Sequence, residues 1–492
     1  MDTMLPSTHT DTPEQSQPFS PFDPAIITTL ENLIAPGGRA RVSPYTESAQ
    51  FQILFGDVPE PQRRHDSARR ILEANEARID ALAQYWVNFS QQGKHFMQAD
   101  YDSTDFRDMY LAYYCTTNVS KIQLSLLDLV RVAALKEAHL RVLDVGVGTG
   151  TTLLGLMDFF ILWACVCDLY GASFPIQSLA FTGIDCSSGN LTYAKDMALA
   201  YATTLAQRAH GQASSPDPAE SLLTHVEQWT GAACWHQHDL SQEPYQDEPV
   251  NLIFASNVLN ELQRQQGSGG THLKSLIANL PAGGAAIIIE PGAEKETRTL
   301  MAWRRQLIAG YPHIQPLGGC ANDLSPEKLQ ACDCCWNARR ESLHQTLLYA
   351  RFRQTAAKYA EDKRALNNFE NNLLSWSYAL LQARDDAQLP AEINQITIET
   401  GQQWTKESPL HLAYIGSYRG KEKTVELSSS HKNGKIHETA DEWIEFIKFC
   451  PAHYSGTRAV TLWRVNGAVI PPIRYGGRVT QLLILKGALS CG

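Results

Sequence analysis

The sequence predicts an α/β protein: a doubly wound, Rossmann-like sheet domain, preceded by a helical region and followed by a small β domain. Three observations lead there. His-Leu-Arg-Val-Leu-Asp-Val at 139–145 is a short, mostly apolar strand that runs into glycines at 146, 148 and 150, then into an apolar stretch long enough for a helix. Further strand-like runs follow, spaced widely enough for helices between them, as in a parallel sheet. Beyond residue 400 the pattern changes to β-branched alternation with Gly-rich turns.

Residues 1–23 are rich in Ser, Thr, Pro, Gln and Asp, have little to bury and read as disordered. Residues 24–138 read as helical. Ala68, Ile71, Leu72, Ile79, Leu82 and Trp86 recur at helical spacing on one face, interrupted by Asn75. These helices are expected to pack on each other and on one edge of the sheet. Arg63, Arg64, Arg69 and Arg70 read as a solvated helix face, and Tyr110, Tyr113 and Tyr114 as core rather than a base-stacking platform.

Residues 139–318 carry the chemistry. Gly146, Gly148 and Gly150 let the backbone turn sharply and approach a ligand, with amide N–H groups and a helix N-terminus behind them. Such loops also serve dinucleotides, so the loop alone is a weak signal. Phe181-Thr-Gly-Ile-Asp185 is a second strand ending in an acid, placed in an open α/β sheet to bond both hydroxyls of a ribose. Trp235-His-Gln-His-Asp239 ends in another acid. A fourth strand, from Val250, leads into Asn257, Asn260 and Glu261, and a fifth ends in Glu290-Pro291-Gly292. This succession resembles the class I S-adenosylmethionine-dependent methyltransferases over residues 120–310. The resemblance implies that Asp144 and the three glycines hold the methionine end of the cofactor, that Asp185 binds its ribose and Asp239 faces its adenine. Asn257 would line the cleft beneath the methyl group.

Composition bounds the rest. A chain of 492 residues is too long for one ordinary core, so two or three domains are expected. The 43% hydrophobic and 19% charged content suits a globular protein, and the formal charge of −10 argues against a uniformly basic nucleic-acid coat. The longest apolar candidate, Leu153 to Cys167, contains Asp158 and reads as a buried helix rather than a membrane span. The N-terminus shows neither a secretory pattern nor an Arg-rich transit pattern, so a cytoplasmic protein with no membrane partner is expected. In that compartment the eleven cysteines read as metal ligands or reduced thiols. Cys115, Cys165, Cys167, Cys186 and Cys234 are expected in the core.

Residues 319–400 combine a cysteine cluster with a basic segment. Cys320, Cys332, Cys334 and Cys335 place four thiols in sixteen residues. Cys332 and Cys335 form a Cys-x-x-Cys pair that can reach one metal from a tight turn. Cys320 is a natural third ligand and Cys450 the best fourth, with Cys334 competing. A long helix is expected over Arg339–Asn367, in a segment from Trp336 that carries seven basic against three acidic residues. Residues 401–492 hold twelve Lys or Arg against seven Asp or Glu, a net of +5 that leaves −15 for residues 1–400. A small basic barrel-like domain on an acidic body suits RNA contact, and suits a lid or dimerisation module equally. Arg339, Arg340, Arg351, Arg353, Arg474 and Arg478 are the candidate RNA contacts.

Glu290-Pro291-Gly292, a helix bearing Arg298, Arg304 and Arg305, cysteines around Trp336 and a basic β tail follow one another in one order. That order resembles the methyltransferase-like family associated with the mitochondrial small ribosomal subunit, in its bacterial branch, over residues 70–490. The resemblance implies a four-iron four-sulfur cluster on Cys320, Cys332, Cys335 and Cys450, and partnership with the small ribosomal subunit and its rRNA in assembly or translation. The chain departs from the family in the long gap after Cys320 and the extra Cys334, so zinc stays as the alternative metal. Acceptor motifs are where the pattern stops. Ser256-Asn257-Val258-Leu259 has no Pro-Pro-aromatic loop, no cysteine nucleophile stands there, and no Lys-Asp-Lys-Glu set is found. Asn257 and Glu290 are the candidate catalytic residues, with Asn260 and Glu261 beside them. An rRNA methyltransferase is the expected function. A non-catalytic small-subunit assembly factor is the alternative, and a small-molecule methyltransferase ranks third.

Overall fold

Helix α1 (Pro24–Ile34) begins where the Asp23 carboxylate accepts the Ala25 N–H, with Pro24 in the first turn, where its missing N–H costs nothing. After β1 (Arg39–Ala40), α2 (Pro44–Phe55) is capped by Ser43 on the Thr46 N–H and stops at Gly56 in the left-handed region. The apolar stripe of residues 68–86 divides into α3 (Arg64–Ala74) and α4 (Glu76–Gln91). Asn75 is the reason: its amide donates to the Ile71 carbonyl at 2.9 Å and closes α3. Arg64 is tied down rather than solvated, pairing with buried Glu47 at 2.5 Å. Helix α5 (Thr104–Arg131) is buried along most of its length.

The computed structural model describes residues 19–60, 63–91, 101–131, 133–210, 218–246, 249–264, 268–317, 338–359 and 373–384, with short strands between 413 and 485. Strands β2 (His139–Val145), β3 (Ser178–Asp185), β4 (Cys234–Gln237), β5 (Leu252–Ser256) and β6 (Ala285–Pro291) are parallel. Helices α6 (Thr151–Leu169), α7 (Ser188–His210), α8 (Pro218–Gly231), α9 (Leu259–Arg264) and α10 (Gly269–Ala278) make the crossovers. Next come α11 (Glu294–Gly310), β7 (Ile314–Pro316), β8 (Ala338–Leu343), α12 (Leu347–Tyr359) and β9 (Leu373–Ala383). The sheet runs β4-β3-β2-β5-β6-β9-β8-β1, with β7 also on β9. Its order reverses between β2 and β5, the topological switch point where α/β sheets bind ligands. Strand β9 is antiparallel to β6, Ile287 standing opposite Leu380.

Strand periodicity divides the core into two layers. Leu140 and Val142 face the layer built with α1, α5, α6 and α7, whereas Leu143 and Val145 face α9, α10 and α11. The N-terminal helices therefore cover one face of the sheet instead of lying at its edge, because α5 and α1 pack against α6. Helix α6 is the one described helix long and apolar enough to cross a membrane, and it is mostly buried in this core. Its Asp158 accepts from the Ser43 N–H (3.1 Å), Thr46 Oγ1 (2.9 Å), Gln123 Nε2 (3.3 Å) and the Tyr201 hydroxyl (2.5 Å). Four donors compensate a carboxylate that would otherwise be costly to bury, and they tie α2, α5 and α7 to α6.

Two expectations change past residue 318. The stretch 339–367 is not one helix: β8 occupies its start and α12 its middle, since residues 338–342 pair with β9. The central sheet thus extends into the region assigned to the cysteine segment, through β8 and β9. In the C-terminal region the described strands are β10 (Ala413–Gly416), β11 (Ile444–Glu445), β12 (Arg458–Thr461), β13 (Trp463–Val465), β14 (Ala468–Ile470) and β15 (Ile484–Leu485). They pair antiparallel as β10 with β12, β11 with β15 and β13 with β14. Barrel closure involves residues outside the described set.

Candidate functional site

The site forms where β2 ends at the switch point. The chain turns through Gly146, Gly148 and Gly150, all at positive φ. A Cβ on Gly150 would stand 2.8 Å from the Ala194 Cα, while one on Gly148 would meet nothing nearer than 3.9 Å. Gly150 is therefore a packing glycine that lets α6 lie against α7, and Gly148 presents an open backbone face. The Gly148 N–H donates to Asp185 Oδ2 at 2.9 Å, and Asp185 Oδ1 accepts the Ser187 N–H (2.9 Å) and Asn190 Nδ2 (3.2 Å). Burial raises the Asp185 carboxyl, and these donors oppose the rise.

Asp144 is 1% exposed, and neither of its oxygens makes a hydrogen bond of normal geometry. Burial holds its carboxyl well above the usual range, the nearby Thr152 hydroxyl offsetting only part of the effect. The Thr149 hydroxyl, in the cleft wall, is also buried without a partner. Unpaired buried polar groups of this kind are unusual and ask for a ligand or another explanation. Across the cleft, Asp239 Oδ1 accepts the Ser241 N–H (2.9 Å) and hydroxyl (2.6 Å). Asn257 follows β5 at φ 60°, a left-handed position that Asn tolerates better than most residues.

Gly146, Gly148, Thr149, Asp185, Asp239, Asn257 and Glu261 line one cleft of about 770 Å³, open mouth included. Its roof is the start of α5, with Phe106, Arg107 and Tyr110, and Tyr101 just before it. The Tyr101 hydroxyl donates to Glu261 Oε1 at 2.6 Å, Arg107 Nη1 donates to the Tyr101 carbonyl at 2.7 Å, and Ser187 Oγ donates to Asp102 at 3.0 Å. The roof was not readable from the sequence, because no motif marks it and tertiary packing alone brings it to the loop. Tyr110 packs against Phe106 and Tyr114 beside the core, as expected, and also reaches the cleft. Tyr113 and Tyr114 do pack in an aromatic cluster, with Trp86 and Phe352 against Tyr113.

Behind Asn257 lies a buried polar floor. Asn118 Oδ1 accepts from Lys121 Nζ (3.0 Å) and Asn257 Nδ2 (3.4 Å), and Asn118 Nδ2 donates to the Tyr110 hydroxyl (3.3 Å). Burial pushes the Lys121 ammonium down to about 8. Glu290, a candidate catalytic acid, is fully buried and points away from this role. It accepts the Leu259 N–H at 2.8 Å and the Asn260 side-chain amide, capping the start of α9. Burial raises its carboxyl to about 7, opposed by these donors and by Lys121.

Cys320, Cys332, Cys334, Cys335 and Cys450 lie outside the described residues, as do Arg474 and Arg478. Among the described residues no group of three or more His, Cys, Asp or Glu is arranged to hold a metal. Cys115 and Cys167 are buried as expected, but Cys165 and Cys234 are exposed, the latter at the start of edge strand β4, and Cys186 is half-buried at the cleft. Arg339 and Arg340 lie in β8, their side chains outside the described set. Arg351 pairs with Glu76 at 2.6 Å, and Arg353 is buried over the Tyr349 ring, so Arg353 is not offered to a phosphate.

No family model matches the sequence, and no curated protein matches it. Among solved structures, the [4+2]-cyclase SpnF is 14% identical with a TM-score of 0.30, covering 54% of this chain and 81% of its own. YjhP from Escherichia coli is 16% identical with a TM-score of 0.25, covering 62% of this chain and 100% of its own. The plantazolicin methyltransferase BpumL, solved with S-adenosylhomocysteine, is 12% identical with a TM-score of 0.26, covering 64% and 99%. The strand order, the reversed strand β9 and the glycine turn at the switch point give this chain the class I methyltransferase fold.

Proposed function

We propose that this protein binds S-adenosylmethionine in the cleft at the end of β2 and transfers its methyl group. The observation that carries the reading is the unpaired, buried Asp144 carboxyl behind a glycine turn whose Gly148 face is open. Asp144, Thr149 and the open backbone face of the glycine turn at Gly148 would hold the methionine end, whose ammonium suits a carboxylate and whose carboxylate suits a hydroxyl donor. Asp185 would take the ribose hydroxyls and Asp239 the adenine edge. The cofactor supplies an electrophilic methyl group on a sulfonium. Asn257, anchored to Asn118, walls the cleft, and the Tyr101 to Tyr110 roof excludes water.

The acceptor we favour is rRNA of the small ribosomal subunit in the cytoplasm. Its support is the charge partition, +5 in residues 401–492 on a body of −15, together with the family resemblance. In this reading Cys320, Cys332, Cys335 and Cys450, with Cys334 competing, hold a four-iron four-sulfur cluster or zinc. A small-molecule acceptor is the second reading, favoured by the aromatic roof of Tyr101, Phe106 and Tyr110 over the cleft. The test uses anaerobically purified protein, radiolabelled S-adenosylmethionine and small-subunit particles from a strain lacking the protein. Label on RNA that vanishes with Asp144→Ala supports the rRNA reading. Cofactor binding without RNA label moves the acceptor to small molecules, and particle binding with neither label nor cofactor binding leaves a non-catalytic assembly factor.

A further inference from the structure

We propose that Glu261 takes the proton from the methyl acceptor, which is therefore a hydroxyl or an amine, and that Tyr101 positions it. The inference rests on the methyltransferase reading and deepens it. Three acids line the cleft, and two have partners in this reading: Asp185, which accepts three protein donors, would also take the ribose, and Asp239, which accepts two from Ser241, the adenine edge. Glu261 accepts the Tyr101 hydroxyl on Oε1, and no other hydrogen bond or ion pair engages it among the described residues. It sits in the first turn of α9, just after Asn257 and Val258, in the cleft wall. A carboxylate in a cleft wall that a phenol engages at one oxygen is arranged to accept a proton.

Its surroundings set when it can do so. Burial pushes the carboxyl up to about 8, the Tyr101 hydrogen bond opposing, Glu290 and Asp185 adding to the rise and Arg264 opposing. Tyr110, Arg107, Cys186, His238 and Asp239 face the same cleft. A cation entering the cleft favours the carboxylate, so a bound sulfonium draws the proton off Glu261 before transfer. The acceptor heteroatom then forms its bond to the methyl carbon, the carbon–sulfur bond breaks with its electron pair left on sulfur, and the acceptor proton passes to Glu261.

The experiment is calorimetry of the full chain near pH 7.5 in two buffers of different ionisation enthalpy, with S-adenosylmethionine and with the neutral thioether S-adenosylhomocysteine. The sulfonium ligand should release more protons than the thioether, and Glu261→Gln should abolish that difference while still binding both. Tyr101→Phe removes a bond that holds the carboxyl down, so the pH midpoint of release should move up. An unchanged difference in Glu261→Gln, or an unmoved midpoint in Tyr101→Phe, overturns the assignment. If Glu261→Gln fails to fold, the Tyr101→Phe midpoint decides alone. Failure of the wild type to bind either ligand overturns the methyltransferase reading itself, and the Glu261 assignment with it.

Discussion

Replacing Asp144 by Asn separates a ligand-binding acid from a structural one. In the folded chain both of its oxygens are buried and unbonded, and burial raises the carboxyl well above the value of an unfolded chain. The folded state then binds more protons than the unfolded state between the unfolded value and the raised folded one, so the ionisable group lowers stability as pH rises through that window. Asn removes that dependence and keeps the shape. Without ligand, Asp144→Asn should be at least as stable as the wild type at pH 8. With ligand the sign reverses. A charge-assisted hydrogen bond to the cofactor ammonium is worth about 1.5–3 kcal/mol, so its loss should weaken binding by roughly 10- to 150-fold. Calorimetric titration with S-adenosylhomocysteine reads the second effect and urea unfolding of the free protein reads the first. Binding within about twofold of wild type, with loss of free-protein stability, would refute this reasoning and make Asp144 a structural residue.

Other perturbations test the scaffold and the expected metal. Gly150→Ala puts a methyl group against the Ala194 backbone at positive φ, so unfolding should become easier by about 2–5 kcal/mol from left-handed strain plus overpacking. Gly148→Ala has open space ahead of it and should cost only the strain, about 1–2 kcal/mol, while impairing ligand binding; equal urea midpoints for the two variants would contradict the packing account. Glu290 is raised to about 7 by burial, so stability should fall as pH rises from about 4.3, its unfolded value, to 7 and then level off. Glu290→Gln keeps an acceptor for the Leu259 N–H and should flatten that part of the pH–stability curve, and an unaltered slope would count against the cause named. Replacing Cys332 and Cys335 together with Ser should abolish the metal content of anaerobically purified protein, and full metal retention would remove them as ligands.

The glycine turn at the end of β2 was legible because its signals are local. A strand ending in Asp144, three glycines at positive φ and a second strand ending in Asp185 are each dictated by a few adjacent residues. The places of Asp239 and Asn257 in the cleft lining were legible the same way, as polar positions just beyond strand ends. Strand β9 was not found, although Leu374, Trp376 and Tyr378 alternate with serines, because its place in the sheet depends on pairing with β6 some ninety residues away. The roof was missed for the same reason: Tyr101 meets Glu261 only after α5 has packed on α6. Glu290 shows what a local reading does not carry. A strand-end acid looks catalytic in sequence, but here it turns inward to cap α9, which only the fold reveals.

The most direct test of the central claim is a crystal structure of the protein with S-adenosylhomocysteine. The account predicts the ligand in the cleft at the end of β2, with its ribose hydroxyls on Asp185, its amino acid end at the glycine turn beside Asp144 and its adenine next to Asp239. Crystals grown at saturating ligand that show this cleft empty, or the ligand held elsewhere, would contradict it.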